Sequence, residues 1–325
     1  MLYRRHLRIK ALQALYSYYS GGTEDLVKGE KELLNSINKI YELFIWQLSF
    51  MVEVNRFATV RMEENKKKFY PTEEELNPNL KFINNRFFKY LEENRDFQKK
   101  ENLFKINWKD HQDIVLSFYK KMRESEYFKR YMASEKSSLE DDKAFLIKLI
   151  DLQLSKNDLL KSVYEEKSVY FSDGYDLVNI LLIKFVDTLS AKHNELSPLP
   201  GIYKTETSQT NDDKEFLRKL YRKVIIESEA FDEILKERTK NWDYDRIPLM
   251  DLLLLKMAMV ELTEMPTVPV KVTLNEYIEL AKYFSTAKSK TFVNGVLDKL
   301  IKDFKAEGKI KKLGRGLVES GQKKK

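Results

Sequence analysis

Residues 248–265 read PLMDLLLLKMAMVELTEM. Leu, Met, Ala and Val recur with almost no polar face left over. That pattern reads as a helix buried on nearly every side. Pro248 suits its first turn, where a missing N–H costs nothing, and Pro266 and Pro269 end it. A helix buried all round must be wrapped by other elements, so the flanking sequence decides the fold class.

The flanks supply helices. Downstream, "TLNE" (273–276) fits a capping box, with Thr273 as N-cap and Glu276 reaching back. It opens a helix on Leu274, Tyr277, Ile278, Ala281 and Phe284. "KSKTFVNGVLDKLIKDF" (288–304) follows, with Phe292, Val293, Val296, Leu297, Leu300, Ile301 and Phe304 on one helical face. Asn294-Gly295 stands inside that span, although glycine in a helix costs about 1 kcal/mol relative to alanine. Two readings of Gly295 stay open: close packing of another helix, or close approach of a ligand to its backbone. Upstream, residues 214–239 keep helical spacing on Phe216, Leu217, Leu220, Val224, Ile225, Phe231 and Leu235.

Further out the signal remains helical. Residues 2–20 carry the stripe Leu12, Leu15, Tyr16 and Tyr19, stopped by Gly21-Gly22. Residues 25–68 read as one long helix or two short ones, and 69–80 as a loop holding Pro71 and Pro78. Helices are expected at 80–94, 109–131, 139–155 and 157–168, and a buried one at 176–191. "KHNELSPLPGIYKTETSQTNDD" (192–213) is the best linker in the chain. Only 10 Gly and 7 Pro punctuate 325 residues, which argues for long helices rather than many short strands. The fold class expected is all-α.

Composition excludes several functions. With no cysteine there is no disulfide, thiolate nucleophile or Cys-ligated zinc. No apolar run approaches the roughly 20 residues that span a bilayer, and residues 1–20 lack a signal-peptide pattern, so a cytoplasmic, membrane-free protein is expected. His6, His111 and His193 are scattered, and no glycine-rich phosphate loop appears. No catalytic residue, metal or cofactor is expected, and the chain reads as a non-enzyme.

Charge is more informative. Of the net +7, residues 1–20 carry +4 and residues 304–325 carry +6, leaving −3 for the middle. Basic ends suggest a polyanion partner. On the first helix, Arg4, Arg5 and Arg8 extend the stripe of Leu12, Leu15 and Tyr16. Beside the free N–H groups of a helix N-terminus they make a phosphate site, or else a solvated basic end on a core helix. Lys288 and Lys290 precede Asn294 at another expected helix start. The expectation is that these two positive helix ends gather at one surface. Asp251 has two readings: a first-turn acid facing the helix dipole, or an exposed acid gripping a basic partner.

"RRHLRIKALQALYSYY" (4–19), "VPVKVTLNEYIELAKYF" (268–284) and "KTFVNGVLDKL" (290–300) closely resemble the NusB family, and "NWDYDRIPLMDLLLLKMAMVEL" (241–262) looks like its central segment. The resemblance implies a helical bundle of two small subdomains. It also implies a transcription antitermination factor that binds boxA-type single-stranded RNA of ribosomal RNA leaders. Its partners would be the ribosomal protein NusE and an antitermination complex on RNA polymerase. By matching position, Arg4, Arg5 and Arg8 would contact RNA. His6 stands where family members often carry another Arg, so its contact would be weakened or conditional on pH. Phe292 and Asn294 would lie near the RNA, Phe292 as a stacking platform. Lys288 replaces a common acid and, with Lys290, would strengthen the attraction. Tyr16 and Asp251 match positions associated with NusE.

The chain is more than twice the usual family length. The layout expected is a NusB-like core of 1–22 and 213–310, a helical insertion of 23–192, a linker of 193–212 and a disordered basic tail of 311–325. NusB-like domains also precede RNA cytosine methyltransferases, but that enzyme needs a strand-rich cofactor domain and a cysteine, and this chain has neither. The competing reading is a helical protein-interaction scaffold that has lost RNA binding.

Overall fold

The computed structural model describes residues 2–21, 25–203, 212–239 and 243–317. Among these residues the chain forms α-helices and no strand, apart from an isolated bridge between Leu2 and Tyr203. The all-α expectation holds. In order the helices are α1 (Arg4–Ser20), α2 (Leu26–Lys66), α3 (Glu73–Leu76), α4 (Arg86–Glu93), α5 (Arg95–Leu103), α6 (Gln112–Glu124), α7 (Glu126–Ala133) and α8 (Leu139–Leu149). They continue with α9 (Asp158–Lys167), α10 (Tyr175–Thr188), α11 (Asp212–Ile226), α12 (Ser228–Arg238), α13 (Leu249–Glu264), α14 (Val270–Phe284) and α15 (Ser289–Ala306). The span 25–68 is therefore one helix, α2, whereas 109–131 breaks in two where Ser125 caps α7 through the Phe128 N–H. Gly22, residues 204–211 of the expected linker, and 318–325 of the expected tail lie outside the described residues.

The contacts divide the chain into two compact units, Ile37–Ile202 and Leu2–Ser36 with Tyr203–Lys325. The first boundary falls inside α2 rather than at the glycines after α1, because the start of α2 packs on α11 through Gly29 against Tyr221 and Glu30 with Arg218 and Arg222.

The unit Ile37–Ile202 is organised on the second part of α2. Phe44 meets Phe185, Trp46 meets Trp108, and Phe50 packs edge-on against both Trp108 and Phe118. Such aromatic pairs add roughly 0.5–1.5 kcal/mol each beyond their buried area. The surrounding helices are short and several open on a polar side chain. The carbonyls of Asn85, Asn94 and Asn157 accept from the N–H groups of Phe87, Phe97 and Leu160. The Ser138 hydroxyl accepts from Asp141 N–H. Each cap satisfies a donor that a helix start would otherwise leave bare.

The second unit centres on α13, whose buried residues include Leu253, Leu254, Leu255, Met257, Ala258, Met259, Val260 and Leu262. It packs against α1, α11, α12, α14 and α15, as an all-round apolar helix requires. Gly29 in α2 lies against α11: a Cβ there would stand 2.0 Å from the Tyr221 hydroxyl. The start of α14 corrects the capping-box expectation. The helix begins at Val270 behind Pro269, one turn early, so Thr273 lies inside it and serves a different purpose. The tail is also corrected in part. Residues 311–317, expected to be disordered, lie against the end of α13, because Lys312 Nζ donates to the Glu261 and Met265 carbonyls at 3.0 Å each.

Candidate nucleic-acid interface

The first turn of α1 brings its arginines to the C-terminal end of α13. Arg8 and Glu261 form a two-pronged pair, Nε to Oε2 at 2.8 Å and Nη2 to Oε1 at 2.7 Å. Arg8 is 2% exposed and Glu261 fully buried. The remaining lone pairs of Glu261 are filled by Thr273 Oγ1 at 2.8 Å and Tyr277 OH at 3.2 Å. Burial works against the Arg8 charge, but the Glu261 carboxylate outweighs it and holds the guanidinium above its ordinary pKa. Burial also drives the Tyr277 hydroxyl well above the usual phenol range.

Glu276, one turn along α14, links this pair to the surface. It accepts from Arg5 Nε at 2.9 Å and Nη2 at 2.7 Å, and lies 3.5 Å from Arg8 Nη1. Burial pushes its carboxyl up, but the Arg5 hydrogen bonds and both arginine charges win and hold it below the usual range. Arg4 pairs with Asp213 at 3.3 Å and lies over the Phe216 ring. His6 Nδ1 accepts the Tyr3 N–H at 3.1 Å, tying the start of α1.

The sequence expectations thus divide. Arg4, Arg5, Arg8 and His6 do come together, but Arg8 is a core residue: its guanidinium is buried and held by two carboxylates, out of reach of a surface phosphate. Arg5 is the exposed member, with 55% of its side chain accessible.

The second basic group lies elsewhere. Asp251, ten residues before Glu261 on α13, accepts from the Ser289 hydroxyl at 2.7 Å at the first turn of α15. Lys288 and Lys290 flank that serine and are exposed. Ten helical residues span roughly 15 Å, so the arginines and these lysines mark opposite ends of α13 and do not meet. No single phosphate can bridge them; only an extended strand can touch both. Asp251 is 2% exposed, which corrects its reading as an exposed acid, since a buried carboxylate already serving Ser289 cannot grip a surface partner. Tyr16, by contrast, is 44% exposed.

Phe292 is 9% exposed, so its ring belongs to the α15 core face rather than to an open stacking platform. Asn294 is half-buried, and its nearest side-chain partner is Asp298 at 3.5 Å. Gly295 is exposed and a Cβ there would meet nothing within 4 Å, which removes close helix packing as its reason.

The residues missed in the sequence were Glu261 and Lys312. A signal existed for the first: an acid inside an all-round apolar helix demands a buried cation. Among the described residues no helix is long and apolar enough to cross a membrane, and no group of three or more His, Cys, Asp or Glu is arranged to hold a metal ion.

Residues 180–302 match the family model described as "NusB family". The match begins in α10, earlier than the expected start at 213. Three relatives are called transcription antitermination protein NusB. That of Salinibacter ruber is 42% identical over 105 residues, 32% of this chain and 66% of that protein. That of Chloroherpeton thalassium is 39% identical over 111 residues, 34% of this chain and 53% of the relative. That of Alkaliphilus oremlandii is 36% identical over 96 residues, 30% of this chain and 70% of the relative. The first two are thus matched over less than two thirds of their own length. No solved structure matches the chain. Similarity at this level across most of the Alkaliphilus protein, together with the family-model match, shows that the chain belongs to the NusB family.

Proposed function

We propose that this protein is a non-catalytic transcription antitermination factor. It binds boxA-type single-stranded RNA together with NusE, in a complex on RNA polymerase, and residues 37–179, outside both the α13 unit and the family-matched segment, serve as an accessory insertion. One observation carries the reading: Lys288 and Lys290, inside the family-matched segment, are exposed at the N-terminus of α15, and no carboxylate among the described residues pairs with them. The free N–H groups of that helix start add partial positive charge to theirs. Arg5 joins them from the other end of α13. Its side chain is 55% exposed beside Glu276, so a phosphate can approach the donors that face solvent. Tyr16 remains the exposed candidate for the NusE contact, and Asp251 drops out.

The scaffold reading has its own support: each arginine of the first turn already has a carboxylate partner. A titration of boxA-like RNA at several salt concentrations, with and without NusE, decides. Each phosphate neutralised contributes a slope of about −0.7 in log K against log salt for a single strand. Lys288→Ala/Lys290→Ala is expected to flatten the slope by about 1.4. A wild-type protein with no salt-dependent RNA affinity leaves the scaffold.

A further inference from the structure

We propose that residues 309–317 form a second arm of the RNA-binding surface, a strap docked on the C-terminal end of α13 that carries Lys311 and Arg315 at the same end of that helix as the arginines of α1. The inference rests on the RNA-binding reading above and adds a site to it. The strap lies beyond the family-matched residues, which end at 302.

The docking is built from several contacts. Gly308, at φ +67°, reverses the chain after α15, and Lys309 N–H returns to the Phe304 carbonyl at 2.9 Å. This is the left-handed glycine stop of a helix. Lys312 then reaches the end of α13 and donates to two carbonyls, those of Glu261 and Met265, in the region where a helix lacks its own donors. Leu313 N–H donates to the Pro266 carbonyl at 2.9 Å. Gly316 presses so close that a Cβ would lie 1.9 Å from the same oxygen. Burial pushes the Lys312 ammonium down to about 8, against the pull of the Glu261 charge.

The docked strap meets the arginine cluster through one residue. The Glu261 carbonyl accepts from Lys312, while its carboxylate holds Arg8, and Arg8 shares Glu276 with Arg5. Three acids at this end are already engaged, Asp213 by Arg4, Glu276 by Arg5, and Glu264 by Lys219 at 3.0 Å, and Glu279 lends its charge to Arg5. Lys311 and Arg315 are exposed, and among the described residues no carboxylate pairs with them. The uncompensated positive charge at this end therefore sits on the strap. A flexible polyanion passing Arg5 gains two phosphate contacts from it without breaking an existing ion pair.

The test uses the full chain and single-stranded boxA-like RNA across a salt series. Three proteins are compared with wild type: Lys311→Ala/Arg315→Ala, Arg4→Ala/Arg5→Ala, and Gly316→Val, which undocks the strap but keeps every charge. The strap double variant is expected to flatten the log–log slope by about 1.4, a loss of about 25-fold in affinity at 0.1 M salt. Gly316→Val is expected to weaken RNA binding and to speed tryptic cleavage after Lys312, with circular dichroism unchanged. If the strap double variant keeps the wild-type slope while Arg4→Ala/Arg5→Ala flattens it, the strap proposal fails and the RNA reading stands. If Gly316→Val leaves both cleavage and affinity unchanged, the docked arm is overturned. If the wild-type protein binds no RNA, both fall.

Discussion

The two units keep polar groups out of water by different means. In Ile37–Ile202 the buried polar side chains are mostly neutral: Gln47, Ser49, Asn55, Asn85, Asn94, Gln153 and Asn179, with Asp142 and Lys143 the charged exceptions. Two, Asn85 and Asn94, are helix caps, and others tie elements together, as Gln47 does by donating to Asn179 and accepting from Tyr164. Around α13 the buried polar groups are mostly charged: Arg8, Lys10, Glu30, Asp213, Asp251, Lys256 and Glu261. A region of many short helices has many termini, and each needs a local acceptor. A region of a few long helices has fewer termini, and its polar groups cross-link one helix to another. The first arrangement distributes small energies; the second concentrates a large one.

The sharpest way to break this contrast is Arg8→Met. Glu261 would stay buried with Thr273 and Tyr277 but without its paired guanidinium, and removing one partner of a buried pair typically costs 3–5 kcal/mol. Urea denaturation, with hydrogen exchange to assign the loss to the α13 unit, measures it. The matched change in the other unit is Asn94→Ala. It removes the cap on Phe97 N–H and the 2.7 Å bond to the Ser197 carbonyl. The expected loss is about 1–2 kcal/mol by the same measurement. If Asn94→Ala costs more than Arg8→Met, the contrast is wrong.

A smaller effect concerns acid. Glu30, Glu264 and Glu276, all in the α13 unit, have carboxyls held below their usual range. In each, arginine or lysine partners outweigh any opposing burial: Arg222 and Arg218, then Lys219, then Arg5 and Arg8. A depressed folded pKa contributes stability that is complete above the unfolded value of 4.5 and is lost as pH falls through the folded one. The depressed carboxyls of the other unit, Glu75 and Asp141, belong to surface caps and weigh little. Hydrogen exchange at falling pH should therefore show the α13 unit loosening first. Simultaneous loosening would mean that its ion pairs add no stability.

The helical fold was legible because its strongest signal is local. The stretch 248–265 has no polar face, and only a central helix satisfies that. The site was half legible. Helical spacing correctly put Arg8 on the apolar stripe of α1, but its meaning depended on Glu261, 253 residues away, which no local pattern reveals. The same partner explains Thr273. Its spacing before Glu276 imitates a cap, whereas Pro269 had already begun the helix and freed the hydroxyl for Glu261. Phe292 shows the converse: the motif implied a platform, while its own helical spacing already assigned it to the core face.

Gly29 carries a consequence for how this chain can drift in sequence. The tyrosine of α11 occupies the volume that any larger residue at position 29 would need. Gly295 stands in open space on α15, so a methyl group there displaces no neighbour. Two glycines alike in composition thus face opposite constraints, one imposed by a neighbour inside the molecule. The other is left to whatever arrives from outside.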